Sequence, residues 1–289
     1  GDITLIDIVK GVPQGKALDL AQSSSVELFD VNIEGSNNYS SLKNSDVVII
    51  TAGIPRLPGM SRDDLLETNT KIISTIGKAV KKYCPKAFLI CITNPLDAMV
   101  SILQSSSKVK HHMCVGMAGI LDSSRMKYFL SKALNVSVKN IETFVLGGHG
   151  DTMVPMLRYT QISGIPIQEL IKNKMISAKK INDILQRTQD GGGEINRLLK
   201  KGSAFYAPAS SAIQMAESYL KNKKMTLPCA AYLDGEYGIK DLYVGVPVII
   251  GSRGVEKIIK LKLTAIEKKQ FNNSVKAVRK LTNIAFKLL

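Results

Sequence analysis

The 289-residue sequence predicts an α/β fold: a doubly wound parallel sheet covered by helices on both faces, followed by a half of mixed α+β character. Three observations carry this expectation. Short apolar, β-branched runs at 3–8, 46–51 and 87–93 alternate with helix-period segments at 13–23 and 63–83. The run 46–51, Asp-Val-Val-Ile-Ile-Thr, has no polar alternation, as a parallel strand covered on both faces requires. Beyond Leu146 the pattern changes to hairpin and long-helix signals.

In chain order, Ile3–Ile8 reads as a buried strand ending in the acid Asp7, broken by Gly11 and Pro13. Pro13–Ser23 reads as a helix with Ala17, Leu18 and Ala21 on one face, and a short strand follows near Asp30–Glu34. After the strand 46–51, a loop carries Pro55, Arg56, Pro58, Gly59 and Arg62. The helix after it spans about 63–83, with Ile72, Ile73, Ile76 and Val80 at helical spacing. Ala87–Thr93 is an apolar strand closed by Asn94-Pro95. Asp122–Leu134 is helical, and Ile141–Leu146 reads as one strand running into Gly147-Gly148-His149-Gly150-Asp151. Gln161–Pro166 reads as a hairpin. Ala178–Lys201 reads as one long amphipathic helix that kinks, or admits a close approach, at Gly191-Gly192-Gly193. Ala207–Lys221 is helical, Ala230–Gly251 carries strand signals around an Asp234-Gly235 turn, and Thr264–Leu289 is a closing helix.

Composition narrows the function classes. The formal net charge is +15, but basic residues are spread along the chain and aromatic content is only 6%, so a lysine-rich surface is expected rather than a nucleic-acid partner. No apolar run reaches the length of a membrane span. Four cysteines with no Cys-x-x-Cys pair fit reduced thiols in a cytoplasmic compartment. His111-His112 lacks a cysteine or carboxylate at zinc spacing, so no metal site is expected there.

The chemistry concentrates around His149, one of three histidines, held between glycines after an apolar run. Imidazole is the side chain whose ordinary pKa suits two-way proton transfer near neutrality. Asp122 and Arg125 lie three residues apart on one helix face, either as a surface ion pair or as part of a site. Arg56 and Arg62 lie beside Thr51-Ala52-Gly53, at the end of a predicted strand, where open parallel sheets bind their ligands. One proton donor, one carboxylate partner and three guanidinium groups suit a small dianionic substrate.

Taken together, Thr51-Ala52-Gly53…Arg56…Pro58-Gly59…Arg62-Asp63-Asp64-Leu65, Thr93-Asn94-Pro95-Leu96-Asp97, Leu121-Asp122-Ser123-Ser124-Arg125 and Gly147-Gly148-His149-Gly150-Asp151 resemble the lactate/malate dehydrogenase family, in family order and over essentially the whole chain. Lys201–Ala209 resembles its malate-specific side. The resemblance implies a Rossmann dinucleotide-binding domain over 1–118 and a substrate domain over 119–289, with NAD as cofactor and a homo-oligomeric, tetrameric assembly. It implies that His149 exchanges a proton with the substrate and that Asp122 orients and stabilises its ring. Arg125 would clamp the carboxylate beside the carbonyl, Arg62 would polarise the carbonyl from a closing loop, and Asn94 would hydrogen-bond the substrate, its peptide bond to Pro95 being cis. Asp7 would bind the adenosine ribose hydroxyls, while Thr51, Ala52, Gly53, Asn69, Ile92, Thr93 and Asn94 would line the cofactor.

Arg56 bears on the substrate. Lactate enzymes of the family usually carry a neutral residue there, whereas a second carboxylate needs a cation, and the loop 54–65 lacks the insertion of some protozoan lactate dehydrogenases. Both features favour malate/oxaloacetate. A lactate or other 2-hydroxyacid dehydrogenase is the nearest alternative, and an inactive basic binding protein is the alternative of another class. One departure from the family stands out. Its glycine-rich turn should precede the ribose-binding acid by roughly 20 residues, yet Asp7 is the seventh residue, so the first strand is expected to be missing. Either the sequence is a shortened form of a longer protein, which is favoured, or the product lacks the turn and binds NAD poorly. A targeting segment stays open for the same reason.

Overall fold

The computed structural model describes residues 1–55, 62–200 and 202–289, and only the backbone of 62 and 63. The first half runs β1 (Ile3–Ile6), α1 (Val12–Gln22), α2 (Ser24–Glu27), β2 (Ile33–Ser36), β3 (Val47–Ile50), α3 (Arg62–Tyr83), β4 (Phe88–Cys91), α4 (Leu96–Ser107) and β5 (Cys114–Gly116). β3, β4 and β5 pair in parallel, as do β1 and β2. Alternate residues of β4 serve opposite cores, as the two-residue strand period requires. Leu89 and Cys91 pack towards Ile73 and Val80 of α3 and Met99 and Leu103 of α4. Phe88 and Ile90 belong to the core that holds Met215 and Phe271.

The parallel strands fall into two separate sheets. β1 and β2 form a two-stranded sheet, and no ladder joins β1 to β3. This corrects the reading of 3–8 as a buried strand: Ile3 is 44% exposed, and Ile8 lies beyond the strand and exposed. It also qualifies β3, where Val48 and Ile50 are buried but Ile49 is 40% exposed. A strand with an unpaired edge leaves part of its apolar surface in water, whatever its sequence.

The second half begins with α5 (Ala118–Leu134), followed by the short strands β6 (Ile141–Glu142), β7 (Val145–Leu146), β8 (Val154–Pro155), β9 (Gln161–Ile162) and β10 (Ile165–Pro166). The single strand expected over 141–146 is split: β6 pairs with β9 and β7 with β8. Between them the buried Thr143 hydroxyl bonds Thr160 Oγ1 at 2.7 Å, a side-chain link that replaces the ladder at the break. β9 and β10 form the expected hairpin across Ser163 and Gly164. Then come α6 (Ile167–Lys172), α7 (Ala178–Gln189), α8 (Gly191–Leu199) and α9 (Tyr206–Leu220). The single long helix expected over 178–201 is two, broken at Asp190 just before the glycine triplet. Ion pairs Arg187–Glu194 and Arg197–Asp190 span the break.

The chain closes with β11 (Met225–Asp234), β12 (Lys240–Gly251), β13 (Gly254–Ile258) and α10 (Ala265–Lys287). Thr264 and Glu267 form a reciprocal capping box at the start of α10. β11 pairs antiparallel with β5 through Ala230 and Gly116, so β13-β12-β11-β5-β4-β3 is one six-stranded sheet shared by both halves. Among the described residues no helix is long and apolar enough to cross a membrane, and no group of three His, Cys, Asp or Glu side chains could hold a metal ion. All four cysteines are free and buried.

Candidate active site

α5 supplies two functional side chains one turn apart. Asp122 is buried, and its carboxylate faces two cations: Oδ1 accepts from Arg125 Nη1 at 3.1 Å, and Oδ2 pairs with His149 Nδ1 at 2.9 Å. Of the two readings left open for Asp122 and Arg125, the surface ion pair is excluded, because their side chains are only 2% and 11% exposed. An Nδ1 proton donated to Asp122 leaves Nε2 as the nitrogen that exchanges a proton with a substrate.

The loop carrying His149 is held from three sides. Gly147 follows β7 with φ 85° and exchanges backbone hydrogen bonds with Gly245 of β12, N to O at 2.9 and 3.1 Å. Gly148 N donates to Ser274 Oγ of α10 at 2.8 Å, and a Cβ on Gly148 would stand 2.5 Å from Val278 Cγ2. His149 N donates to Asp97 Oδ2 of α4 at 2.9 Å. Gly147 and Gly148 are needed because a Cβ on either would stand 2.5 Å from an α10 side chain, Ser274 Oγ or Val278 Cγ2, a close approach that only a residue without Cβ meets.

These neighbours set the charge of the ring. Burial works against the imidazolium, but the charge and hydrogen bond of Asp122, then the charge of Asp97, outweigh both burial and the opposing Arg125. The pKa of His149 is therefore held above its ordinary value. Burial pushes the Asp97 carboxyl up to about 6, opposed by the His149 backbone N–H and by the charge of His149.

Arg125 is walled in by the start of α8. A Cβ on Gly191 would lie 2.7 Å from Arg125 Cδ and 3.1 Å from Nε. Both features expected of the glycine triplet are thus present, a break and a close approach. The buried Arg125 Nε has no hydrogen-bond partner among the described residues. A guanidinium with unused donors beside a proton-transfer group can take a carboxylate. A separate cavity of about 510 Å³, lined by Ile120, Ser124, Lys127, Phe144, Gln214 and Pro228, contains none of these groups and does not bear on the chemistry.

The other predicted residues gather at the carboxyl ends of β3 and β4. Thr51, Ala52 and Gly53 are exposed, and Thr93 Oγ1 donates to Ala52 O at 2.6 Å. Asn69, buried on α3, accepts from Ile54 N at 2.9 Å and donates to Asn94 O at 2.8 Å, so it braces the rim of this cleft. Ile92 is half-buried beside it, Asn94 is exposed, and the Asn94-Pro95 peptide bond is cis. Asp7 lies at the carboxyl end of β1, where its Oδ1 accepts from Val9 N at 2.9 Å. Exposed residues at parallel strand ends, together with an acid at the end of β1, fit the binding of a dinucleotide. Arg56 and the side chain of Arg62 lie outside the described residues.

The four residues 94–97 join the two groups, because Asn94 lies on the cleft rim and Asp97 holds His149. Asp97 and Ser274 escape a reading by residue type: each accepts a backbone N–H, from partners 52 and 126 positions away.

Comparison with known proteins agrees with this geometry. Residues 1–116 match the family model described as lactate/malate dehydrogenase, NAD binding domain, and residues 120–288 match the one described as lactate/malate dehydrogenase, alpha/beta C-terminal domain. The malate dehydrogenase of Cryptosporidium parvum is 47% identical with a TM-score of 0.97, over 99% of this chain and 91% of that one. The lactate dehydrogenase of Eimeria maxima, solved with NADH and oxamate, is 49% identical with a TM-score of 0.96, over 100% and 87%. The malate dehydrogenase of Plasmodium falciparum is 42% identical with a TM-score of 0.96, over 100% and 91%. With both halves matched end to end around one His–Asp–Arg cluster, the chain belongs to the lactate/malate dehydrogenase family: it is an oxidoreductase acting on a CH–OH group, with NAD as its cofactor.

Proposed function

We propose that this enzyme is a malate dehydrogenase, interconverting (S)-malate and oxaloacetate. When bound, the cofactor supplies the hydride acceptor or donor. The protein's own residues do the rest. His149 gives its proton to the carbonyl oxygen in reduction and removes it from the hydroxyl in oxidation. Asp122 keeps the ring in the tautomer that leaves Nε2 free, and stabilises the imidazolium. Arg125, its Nε unspent and its reach limited by Gly191, takes the carboxylate next to the reacting carbon in a two-bond fork. Arg62 polarises the carbonyl, and Asn94 hydrogen-bonds the substrate from the cleft rim. Thr51, Ala52, Gly53, Asn69, Ile92 and Thr93 form the cofactor's bed, with Asp7 on its ribose.

One observation carries the choice of malate: Arg56 stands in the loop 54–65 where a second carboxylate needs a cation. Facing the methyl of pyruvate, an arginine would be desolvated without a partner, which discriminates by penalty as well as attraction. The alternative, lactate dehydrogenase, is favoured by the Eimeria maxima enzyme, which at 49% is slightly more identical than the Cryptosporidium parvum malate dehydrogenase at 47%. Initial rates of NADH oxidation with oxaloacetate and pyruvate decide between them. Arg56→Gln is expected to lower kcat/KM for oxaloacetate by about 10²-fold or more and raise the relative use of pyruvate. Unchanged discrimination would refute the assignment.

The same reading extends to a domain boundary at 118/119, a homotetrameric assembly and a cytoplasmic setting, the last supported by four free, buried thiols.

A further inference from the structure

We propose that Asp97 is a second positioning residue for His149, anchoring the backbone of its loop and adding a second negative charge to the field that holds the ring proton. This rests on His149 being the acid and base of the reaction.

The geometry is direct. Asp97 sits in the first turn of α4, is 6% exposed, and accepts the His149 backbone N–H at 2.9 Å through Oδ2. A Cβ on Gly148 would stand 3.2 Å from the same oxygen, so the loop lies against the carboxylate. Its other oxygen, Oδ1, is buried with no hydrogen-bond partner among the described residues. The backbone bond alone needs only an acceptor, and an asparagine of the same shape would supply one. A half-satisfied carboxylate costs more to bury than an amide. The extra cost is explained if the charge itself acts, and the imidazole of His149 is a group whose charged form it favours.

The charged and titratable groups around this pair are few. α5 contributes Asp122 and Arg125, which push His149 in opposite directions, Asp122 the more strongly. β4 contributes the Cys91 thiol, pushed up to about 12 by burial and therefore neutral. α10 faces the loop with the uncharged Ser274 and Val278. Among the described residues Asp97 is thus a second carboxylate, after Asp122, that favours the imidazolium. Asp122 binds the ring and Asp97 binds the backbone that carries it, so the histidine is fixed at both ends. Burial raises Asp97 to about 6, so it is mostly ionised at neutral pH. It loses its charge in mild acid, where the ring no longer needs help to stay protonated.

The test uses the protein with histidine isotopically labelled. It has three histidines, so His149→Gln assigns the signal by its disappearance. The NMR titration of His149 is compared in wild type, Asp97→Asn and Asp97→Ala, alongside kcat/KM against pH in both directions with NADH or NAD. Asp97→Asn keeps an acceptor and removes the charge. It is expected to lower the His149 pKa by at least about 0.5, to move the falling limb of the reduction profile to lower pH with it, and to leave NADH affinity unchanged. Asp97→Ala also removes the anchor and is expected to lower kcat by a further factor of about 10, with a smaller change in KM. A His149 titration in Asp97→Asn that overlays wild type would overturn the electrostatic role. Equal kcat in the two variants would overturn the anchoring role. If Asp97→Ala fails to fold, the Asp97→Asn titration still decides the first. That titration needs no turnover, so it is separate from the result that would sink the acid–base reading itself, namely wild-type rates in His149→Gln.

Discussion

His149 stands among charges of both signs, and their balance governs its use. Burial opposes its charged form, yet Asp122 and Asp97 together hold its pKa above the ordinary value. In the proposed mechanism reduction needs the protonated ring and oxidation the neutral one, so the two pH profiles are expected to run in opposite directions through this raised pKa. The window lies above the usual histidine range of about 6.5, because the shift is upward. Asp122→Asn should lose rate in both directions by about 10²-fold or more while keeping NADH affinity, since the cofactor cleft is built from other residues. Steady-state kinetics and a binding titration check both statements, and parallel pH slopes would refute the assignment. At this scale residue type and spacing singled out His149, Asp122 and Arg125, and the roles proposed for them come from the family resemblance. Asp97 lay in a quoted run yet carried no readable role, because its contact is to a backbone N–H 52 positions away.

Helix and strand signals located most elements, and the errors share one cause. Local pattern reports what a segment can form, whereas its neighbours decide where it is interrupted. Ile141–Leu146 is a good strand by composition, but Glu142 and Val145 pair with different partners on either side of Thr143. The 178–201 segment has one helical period, but it breaks at Asp190 and so brings Gly191 down onto Arg125. Gly191→Ala should therefore displace the guanidinium, because the new methyl would strike the Arg125 Cδ that carries it. We expect KM for the 2-oxoacid to rise by about 10-fold or more with a smaller loss of kcat, measured by steady-state kinetics. An unchanged KM would show that Arg125 relaxes without cost. The β1–β2 pair makes a different prediction. A two-stranded sheet with an open edge is marginal by itself. In the 289-residue chain, amides of 3–6 and 33–36 should exchange with deuterium at least about tenfold faster than those of 88–91 in the middle of the six-stranded sheet. Equal protection would mean that packing from α1 suffices to hold the pair.

At the scale of the molecule, one sheet ties both halves together, since β11 adds antiparallel to β5. The residues proposed for the cofactor at the ends of β3 and β4 and the proposed proton-transfer group are consequently carried on one frame, joined by residues 94–97. The surface retains large exposed apolar side chains on helices, among them Leu18 on α1 and Tyr206 and Ile213 on α9. Exposed apolar surface on this scale favours association, which supports the proposed homotetramer. Sedimentation at micromolar concentration is expected to give a mass several times 31.5 kDa, and a monomer would count against it.

The sequence by itself determined the fold class and the order of nearly every element, and it marked His149, Asp122 and Arg125 as the candidates for the chemistry. These are encoded locally, in side-chain chemistry and in periods of two and 3.6 residues, which survive without knowledge of the rest of the chain. Tertiary structure alone decided that Asp122 divides its two oxygens between Arg125 and His149, and that Asp97 and Ser274 hold the histidine loop by its backbone. Such contacts join distant segments through backbone atoms that every residue possesses, so no residue type announces them, and only the packed chain brings them within hydrogen-bonding reach.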